Sequence, residues 1–163
     1  MSVKKILQEQ MDACFTNKSW FTSLSDAVQG LNDEQADMKQ GEEHSVRQVV
    51  THLIFWNGRI LKQLKGLNPD EFDRENSFTF KSESVNTDKL AWNDMTNMLV
   101  EILNSWKLEL DSLTEEELIK EVPDVPETKA MTIVNTILHN AYHLGQIVST
   151  RKQFNIWDSK LGV

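Results

Sequence analysis

Apolar residues recur every three or four positions along four stretches of the chain, which is the period of an amphipathic helix. These stretches are Val3 to Val28, Ser45 to Gly66, Thr87 to Asp111, and a segment that follows Pro126 and runs to about Phe154. The second stretch has the clearest bounds, because Ser45 and Gln48 form a capping-box pattern and Gly66 lies past its last apolar position. The pattern therefore predicts four helices.

The segment Leu67 to Asn86, between the second and third stretches, is polar and has no helical or alternating period. Its apolar anchors would be Phe72, Phe78 and Phe80. Four helices that each bury one apolar stripe pack together as a bundle. The sequence predicts an all-α antiparallel four-helix bundle with a long crossover between helices 2 and 3, in one domain that spans residues 1–163.

Two short stretches of the chain resemble each other. SVRQVVTH ends at His52 and TIVNTILH ends at His139, and they are preceded by LNDEQ from Leu31 and LTEEE from Leu113. A duplicated helical hairpin would place His52 and His139 at equivalent points of two halves. Amphipathic helices also resemble one another by chance, so both interpretations stay open.

The composition of the chain excludes some classes of function. The chain has 163 residues, a net charge of −8 and one cysteine, Cys14. The acidic balance argues against nucleic acid as a partner. The start MSVKKILQEQ lacks the apolar run of a secretory signal, and no stretch reaches the ~20 apolar residues that cross a membrane. We expect a cytoplasmic protein without a membrane partner, in which Cys14 packs in the apolar stripe of the first helix.

The histidines are the candidate functional residues. His139 and His143 are four positions apart and leave the same side of the fourth helix, almost opposite the apolar stripe centred on Ala141. His52 lies at the margin of the stripe on the second helix. Histidines placed in this way are either solvated surface residues or metal ligands. Two imidazoles from one helix and a third from another are a set that zinc, nickel or ferrous iron accepts.

Several other metal and phosphate chemistries are excluded by missing motifs. The chain has no Glu-x-x-His for a di-iron carboxylate site and no His-Glu-x-x-His for a zinc protease. It also has no Cys-x-x-Cys and no glycine-rich phosphate loop. Only the three-histidine hypothesis remains among the metal sites considered.

The segments HSVRQVVTHLIFWNGRILKQLKG (44–66) and TIVNTILHNAYHLGQIVSTR (132–151) resemble the DinB-like superfamily. The resemblance implies a four-helix bundle that holds a divalent metal through His52, His139 and His143, with zinc or nickel favoured and iron as the alternative. It also implies a homodimer. Members include thiol-S-transferases that use bacillithiol or mycothiol, a mycothiol-dependent isomerase, and many proteins described only as metal-dependent hydrolases.

Two functions follow as hypotheses from this resemblance. The first is a metal-dependent enzyme, a thiol-S-transferase or hydrolase, that acts on a small molecule such as a low-molecular-weight thiol. The alternative is a non-catalytic stress-related or binding bundle in which the metal is structural or absent. A general base is not identified, and Glu42, Glu43 and His44 are the nearest candidates in the sequence.

Charge and the helical wheel add two expectations about the site. The segments Ser45 to Lys65 and Lys129 to Asn155 contain lysines and arginines but no acidic residue, which favours an anionic substrate or thiolate. Part of this excess has a structural explanation, because cations near helix C-termini offset the helix dipole. The wheel predicts that the site opens toward solvent, with Trp56 as one wall and Gln146 at the other border.

Overall fold

A computed structural model describes residues 2–69, 71–88, 90–123 and 125–162. Met1 and Val163, the bounds of the predicted domain, lie outside the described residues, as do Asp70 in the predicted crossover and Lys89 in the predicted third helix. The α-helices are α1 Val3–Phe15, α2 Leu24–Ala27, α3 Asp33–Asp37, α4 Val46–Leu64, α5 Trp92–Ser112, α6 Glu115–Leu118 and α7 Lys129–Gln153. Because the described residues form helices and no strands, the all-α class is confirmed.

The prediction of one continuous helix from Val3 to Val28 is wrong. The helix α1 ends at Phe15, where the backbone N–H of Asn17 donates to the carbonyl of Asp12. A new cap forms at Ser23, whose side chain accepts a hydrogen bond from the backbone at the start of α2. The apolar period continues across this break because α2 packs against α7 and buries its own apolar residues.

The other helix bounds agree closely with the sequence pattern. Ser45 and Gln48 form the predicted capping box at the start of α4, with reciprocal hydrogen bonds of 3.0 and 3.2 Å. Gly66 has a φ of 72°, the left-handed conformation that glycine adopts without strain just after a helix end. The third predicted helix starts five residues late, at Trp92, because the chain before it forms a turn in which Leu90 donates to the carbonyl of Thr87.

The four long helices contact one another in a ring, in which α1 and α4 each pack against both α5 and α7. Contacts between α4 and α5 fix their relative direction. Arg47, near the start of α4, lies 3.2 Å from the sulfur of Met95, near the start of α5. Further along both helices, the Trp106 indole N–H donates to the Asn57 carbonyl at 3.0 Å. The two helices therefore run parallel, and the long connection between them returns the chain along the bundle.

The helices α4 and α7 run antiparallel. The ring of His52, early in α4, packs against that of His143, whereas Asn57, further along α4, bonds to Asn140, which precedes His143 on α7. The predicted antiparallel arrangement thus holds for the two histidine-bearing helices. It does not hold for α4 and α5, which the crossover joins in parallel.

The core fills the space between these four helices, with Trp92 and Trp106 among its largest fully buried side chains. Cys14 is also buried, as predicted, and burial raises the pKa of its thiol to about 12. A thiol in this state is an inert packing group rather than a nucleophile. Within the described residues, no helix has the length and apolar content needed to cross a membrane.

Candidate metal centre

The three histidines identified in the sequence meet at one point between α4 and α7. The Nε2 atom of His139 lies 3.1 Å from Nε2 of His52 and 3.1 Å from Nε2 of His143. One potential ligand atom from each of the three lies within 4.8 Å of the others. The spacing of His139 and His143 places both on one side of α7, and the antiparallel α4 brings His52 opposite them.

The interpretation of these residues as solvated surface histidines is wrong. His52 is 2% exposed and His143 is 5% exposed, while His139 is half-buried. The helical wheel predicted a solvent-exposed face, because it shows only which side of a helix faces the bundle core and not which other segments cover the opposite side. In the structure, a 3-10 helix in the crossover, Asn76–Phe80, covers this face, and the Phe80 ring stacks on His52 with centroids 4.1 Å apart.

Hydrogen bonds orient two of the three imidazoles. His52 Nδ1 lies 2.6 Å from the Thr79 hydroxyl, which itself donates to the Asn76 carbonyl at 2.6 Å. Because that hydroxyl proton is used, the oxygen accepts from His52 Nδ1–H, and Nε2 of His52 carries a lone pair. His143 Nδ1 lies 2.7 Å from the side-chain oxygen of Gln146, which can only accept, so Nε2 of His143 also carries a lone pair.

The chemistry of this donor set fits a divalent cation. The lone pairs of His52 and His143 both point toward Nε2 of His139, which has at most one proton to share between them. A cation bound at this point would accept all three lone pairs at once. In metal-ligating histidines, the ring nitrogen that does not bind the metal usually forms a hydrogen bond, which fixes the orientation of the imidazole.

The site also keeps its histidines neutral. Burial, followed by the neighbouring histidines, lowers the pKa of His52 from 6.5 to about 3. Burial and His143 lower the pKa of His139 from 6.5 to about 4, and burial lowers the pKa of His143 as well. Neutral imidazole is the form that binds metals, so the ligands need no deprotonation at neutral pH.

These pKa shifts predict that the metal-free protein loses stability in mild acid. Between pH 6.5 and about 4, the unfolded chain protonates His52 and His139 while the folded chain does not, so the free energy of unfolding falls as the pH falls. Urea unfolding of metal-free protein at several pH values would measure this slope. A His52→Gln/His139→Gln variant should have a smaller slope in this window, and an equal slope in both proteins would contradict the assignment.

Thr79 is predicted to act on metal binding through His52. Replacing it with valine keeps its shape but removes the acceptor for His52 Nδ1–H, and we expect divalent-metal affinity to fall about 10-fold or more. Thr79→Ser retains the hydroxyl and is the matched control, with affinity near that of the wild type. A competition titration with a chromophoric chelator would measure both. Equal affinities of the valine and serine variants would show that Thr79 only packs.

A cavity of about 760 Å³ adjoins the three histidines. Trp56 and Gln146 both line it, as predicted, and so does His44. His44 is stacked on the face of Phe80 that is turned away from His52, with centroids 3.9 Å apart. Glu42 and Glu43 are exposed and do not line this cavity. Of the three candidate bases considered from sequence, only His44 reaches it.

Other lining residues were not assigned a role from the sequence: Ile60, Gln63, Asn76, Phe80, Val122, Val125, Glu127, Thr132, Asn135, Thr136 and Tyr142. The helical wheel places Thr132, Asn135 and Thr136 on the same side of α7 as His139, and the structure agrees, although no role followed from that position. Glu127 lies at the very start of the fourth stretch and precedes α7, and helical periodicity gave no signal for a polar residue at that position.

The basic residues of the ligand helices do not line the cavity, so they would not contact an anionic substrate bound there. Arg47 forms ion pairs with Asp33 and Asp37 at 2.7 and 2.8 Å. Arg151 is buried, and its guanidinium donates to the Ala27 carbonyl at 2.6 Å. Among the described residues that line the cavity there is no lysine or arginine.

Comparison with known proteins is consistent with this geometry. A family model described as the DinB superfamily matches residues 18–147, a range that includes all three histidines and the crossover that covers them. No curated protein and no solved structure matches the chain.

Proposed function

We propose that this chain, which belongs to the DinB superfamily, is a metal-dependent enzyme that transfers a small thiol to an electrophilic substrate. The observation that carries the proposal is the convergence of three neutral imidazoles, through their Nε2 atoms, beside a 760 Å³ cavity. A cavity of this size accommodates a small molecule together with a thiol. Zinc or nickel suits three imidazoles best, and ferrous iron is the alternative.

Each part of the site has a role in this proposal. His52, His139 and His143 would hold the ion, and Thr79 and Gln146 would orient two of them through Nδ1. A divalent ion bound there would supply Lewis acidity, which would lower the pKa of a small thiol and favour its thiolate form at neutral pH. The aromatic side chains Phe80 and Trp56 would limit water near the sulfur. The Trp56 indole N–H donates to the Asn76 side chain at 3.1 Å, which ties this wall to the crossover.

In the reaction, the thiolate sulfur forms a bond to an electrophilic carbon of the substrate. The bond from that carbon to its leaving group breaks, and the leaving group departs with the electron pair. The proton lost by the thiol reaches the leaving group directly or through solvent, so thiol plus substrate gives thioether plus protonated leaving group. Small thiols stay reduced in the cytoplasm, which is the compartment we propose for this reaction.

The positions of the possible bases argue against a hydrolysis in which a side chain activates the water. Activation of water by a side chain requires a base within hydrogen-bond reach, about 3 Å, or through one bridging water. The ring of Phe80 separates His44 from His52. Glu127 bonds to Asn135, which lies one helical turn, about 6 Å, from His139. A thiol ionised by the metal would need no such base, and neither would a metal-bound hydroxide, so the binding of a thiol is the property that separates the two reactions.

Thiol binding tests the proposal. We expect a small thiol such as 2-mercaptoethanol to bind more tightly to metal-loaded protein than to metal-free protein, with release of a proton. Calorimetry in buffers of different ionisation enthalpy would measure that proton, and affinity should increase with pH until hydroxide competes. Equal affinity in the two forms would reject thiol transfer. It would favour hydrolysis, or the alternative of a non-catalytic binding bundle in which the metal is structural or absent.

We also propose a homodimer. Of the five tryptophans in the sequence, Trp92 and Trp106 are used in the core and Trp56 in the cavity, whereas Trp20 is 96% exposed. On α7, Leu138 and Tyr142 are 62% and 64% exposed, although both are large. Aromatic and large apolar residues of this kind are enriched at interfaces. Light scattering at tens of micromolar should give twice the 18.8 kDa chain mass, and a monomer mass would contradict the proposal.

A further inference from the structure

The end of the cavity that lies away from the three histidines has a distinct chemical character. Glu127 lies there, just before α7, and is the only acidic side chain among the described residues that line the cavity. Its carboxylate accepts a hydrogen bond of 3.0 Å from the side-chain amide of Asn135. Because no described lysine or arginine lines the cavity, the electrostatic character of this end is set by a carboxylate.

A buried hydroxyl group at this end has no partner among the residues that the structure describes. Thr132 is 7% exposed and lines the cavity, and its Oγ1 makes no hydrogen bond to any described residue. It lies three residues before Asn135 and therefore on the same side of α7. Gln63 of α4 adds a further polar side chain to the cavity wall.

The two ends of the cavity are separated by a distance that a small extended molecule can span. Along α7, Asn135 lies about 6 Å and Thr132 about 10 Å from His139 at a rise of 1.5 Å per residue. Apolar side chains from α4 and from the segment before α7 also line the cavity, namely Ile60, Val122 and Val125. A ligand with polar groups at both ends and an apolar middle fits this arrangement.

We propose that Glu127 binds an ammonium group of the substrate or cosubstrate thiol, whose reacting end lies at the three histidines. The assignment of that reacting end rests on the proposed function. A carboxylate accepts up to about four hydrogen bonds, of which Asn135 donates one, and an ammonium group donates three. A cationic ligand is favoured over a neutral or anionic one, because the described residues that line the cavity include this one carboxylate and no lysine or arginine.

Binding of n-hexylamine and hexan-1-ol to metal-free protein tests the ammonium site by itself. We expect the wild type to bind the amine about 10-fold more tightly than the Glu127→Gln variant, as for a hydrogen bond to a charged group. The alcohol should bind both proteins equally. Glutamine keeps the size of the side chain and can still accept from Asn135. Glu121→Gln is the matched control, because it removes the same charge from an exposed position outside the cavity lining. Equal affinity of the wild type for amine and alcohol would overturn the inference.

A second comparison uses metal-loaded protein and separates this inference from the proposed function. We expect 6-aminohexane-1-thiol to bind more tightly than 6-mercaptohexan-1-ol, with the advantage lost in Glu127→Gln and retained in Glu121→Gln. If both thiols require metal but the amine gives no advantage, the ammonium site is wrong and thiol transfer stands. If the amine advantage is present with and without metal but neither thiol gains from metal, thiol transfer is wrong and the ammonium site stands.

Discussion

Replacing any one of His52, His139 and His143 by alanine is expected to lower the affinity for a divalent ion by more than about 100-fold. Loss of a partner behind a ligand already costs about 10- to 100-fold, and loss of the ligand itself should cost more. The two imidazoles that remain would hold the ion with most of its positions open. Wild-type protein purified without a His-tag should contain about one divalent ion per chain, as three imidazole ligands in one site imply.

Elemental analysis and chelator competition would measure stoichiometry and affinity for each variant. His44→Ala is the matched control, because His44 lines the same cavity but is separated from His52 by Phe80. That variant should retain its metal. If the triple alanine variant still bound stoichiometric metal in this cavity, the three-histidine assignment would be wrong.

Replacing Asn140 by alanine is expected to destabilise the metal-free protein by about 3 kcal/mol. The side chains of Asn57 and Asn140 form a reciprocal pair of amide hydrogen bonds, each 2.8 Å long, between α4 and α7. The two residues are 1% and 0% exposed, respectively. The substitution removes the partners of the Asn57 side-chain oxygen and of one of its N–H groups, while the bond from Asn57 to the Leu53 carbonyl remains. It also creates a cavity, and these two costs add.

A double-mutant cycle measures this pair. Asn57→Leu and Asn140→Leu should each be strongly destabilising, whereas the double leucine variant should recover much of the loss, because removing both polar partners costs far less than removing one. Urea unfolding of metal-free protein gives the free energies without a contribution from bound ion. Additive effects of the two leucine substitutions would show that the amide pair contributes no coupling between the helices.

The same pair holds the two ligand helices in register. It lies one residue from His139 on α7 and five residues from His52 on α4. A shift of either helix along its axis would separate the three Nε2 atoms. We therefore expect metal affinity to fall in the single variants as well as stability.

The sequence predicted the parts of this structure that depend on local patterns. The capping box of Ser45 and the glycine stop at Gly66 bound α4 because the signals lie within the helix they define. The placement of His139 and His143 on one side of α7 follows from helix geometry alone. The break after Phe15 was missed because apolar spacing continued across it, while the cap at Ser23 belonged to a helix of only four residues.

The cover and the far end of the site could not be predicted because they depend on tertiary contacts. Thr79 is 27 residues from the histidine that it orients, and nothing in the polar crossover marks it as a hydrogen-bond partner. The burial of His52 under Phe80 depends on the path of that crossover. The ion pairs of Arg47 could not be predicted from local sequence either, because its partners Asp33 and Asp37 belong to a separate short helix.

The structure adds to the resemblance between the two halves of the chain. A short helix with a capping box precedes each ligand helix, formed by Asn32 and Gln35 before α4 and by Thr114 and Glu117 before α7. These are the LNDEQ and LTEEE segments. The repeated pattern therefore reaches past the histidine helices to the helix that leads into each of them.

The crossover that covers His52 also determines how an ion would be exchanged. Its 3-10 helices, Asn76–Phe80 and Ser82–Ser84, bury Thr79 as their only fully buried residue, while Phe80 is half-buried. A segment with so few buried side chains opens locally at a lower free energy than the whole bundle unfolds. An ion could then leave or be replaced through the opening of this segment while α4 and α7 stay packed through Asn57 and Asn140. The residence time of the ion would therefore be set by residues 76–84 of the crossover. Which ion is bound would depend on the ions that are available in solution during each opening.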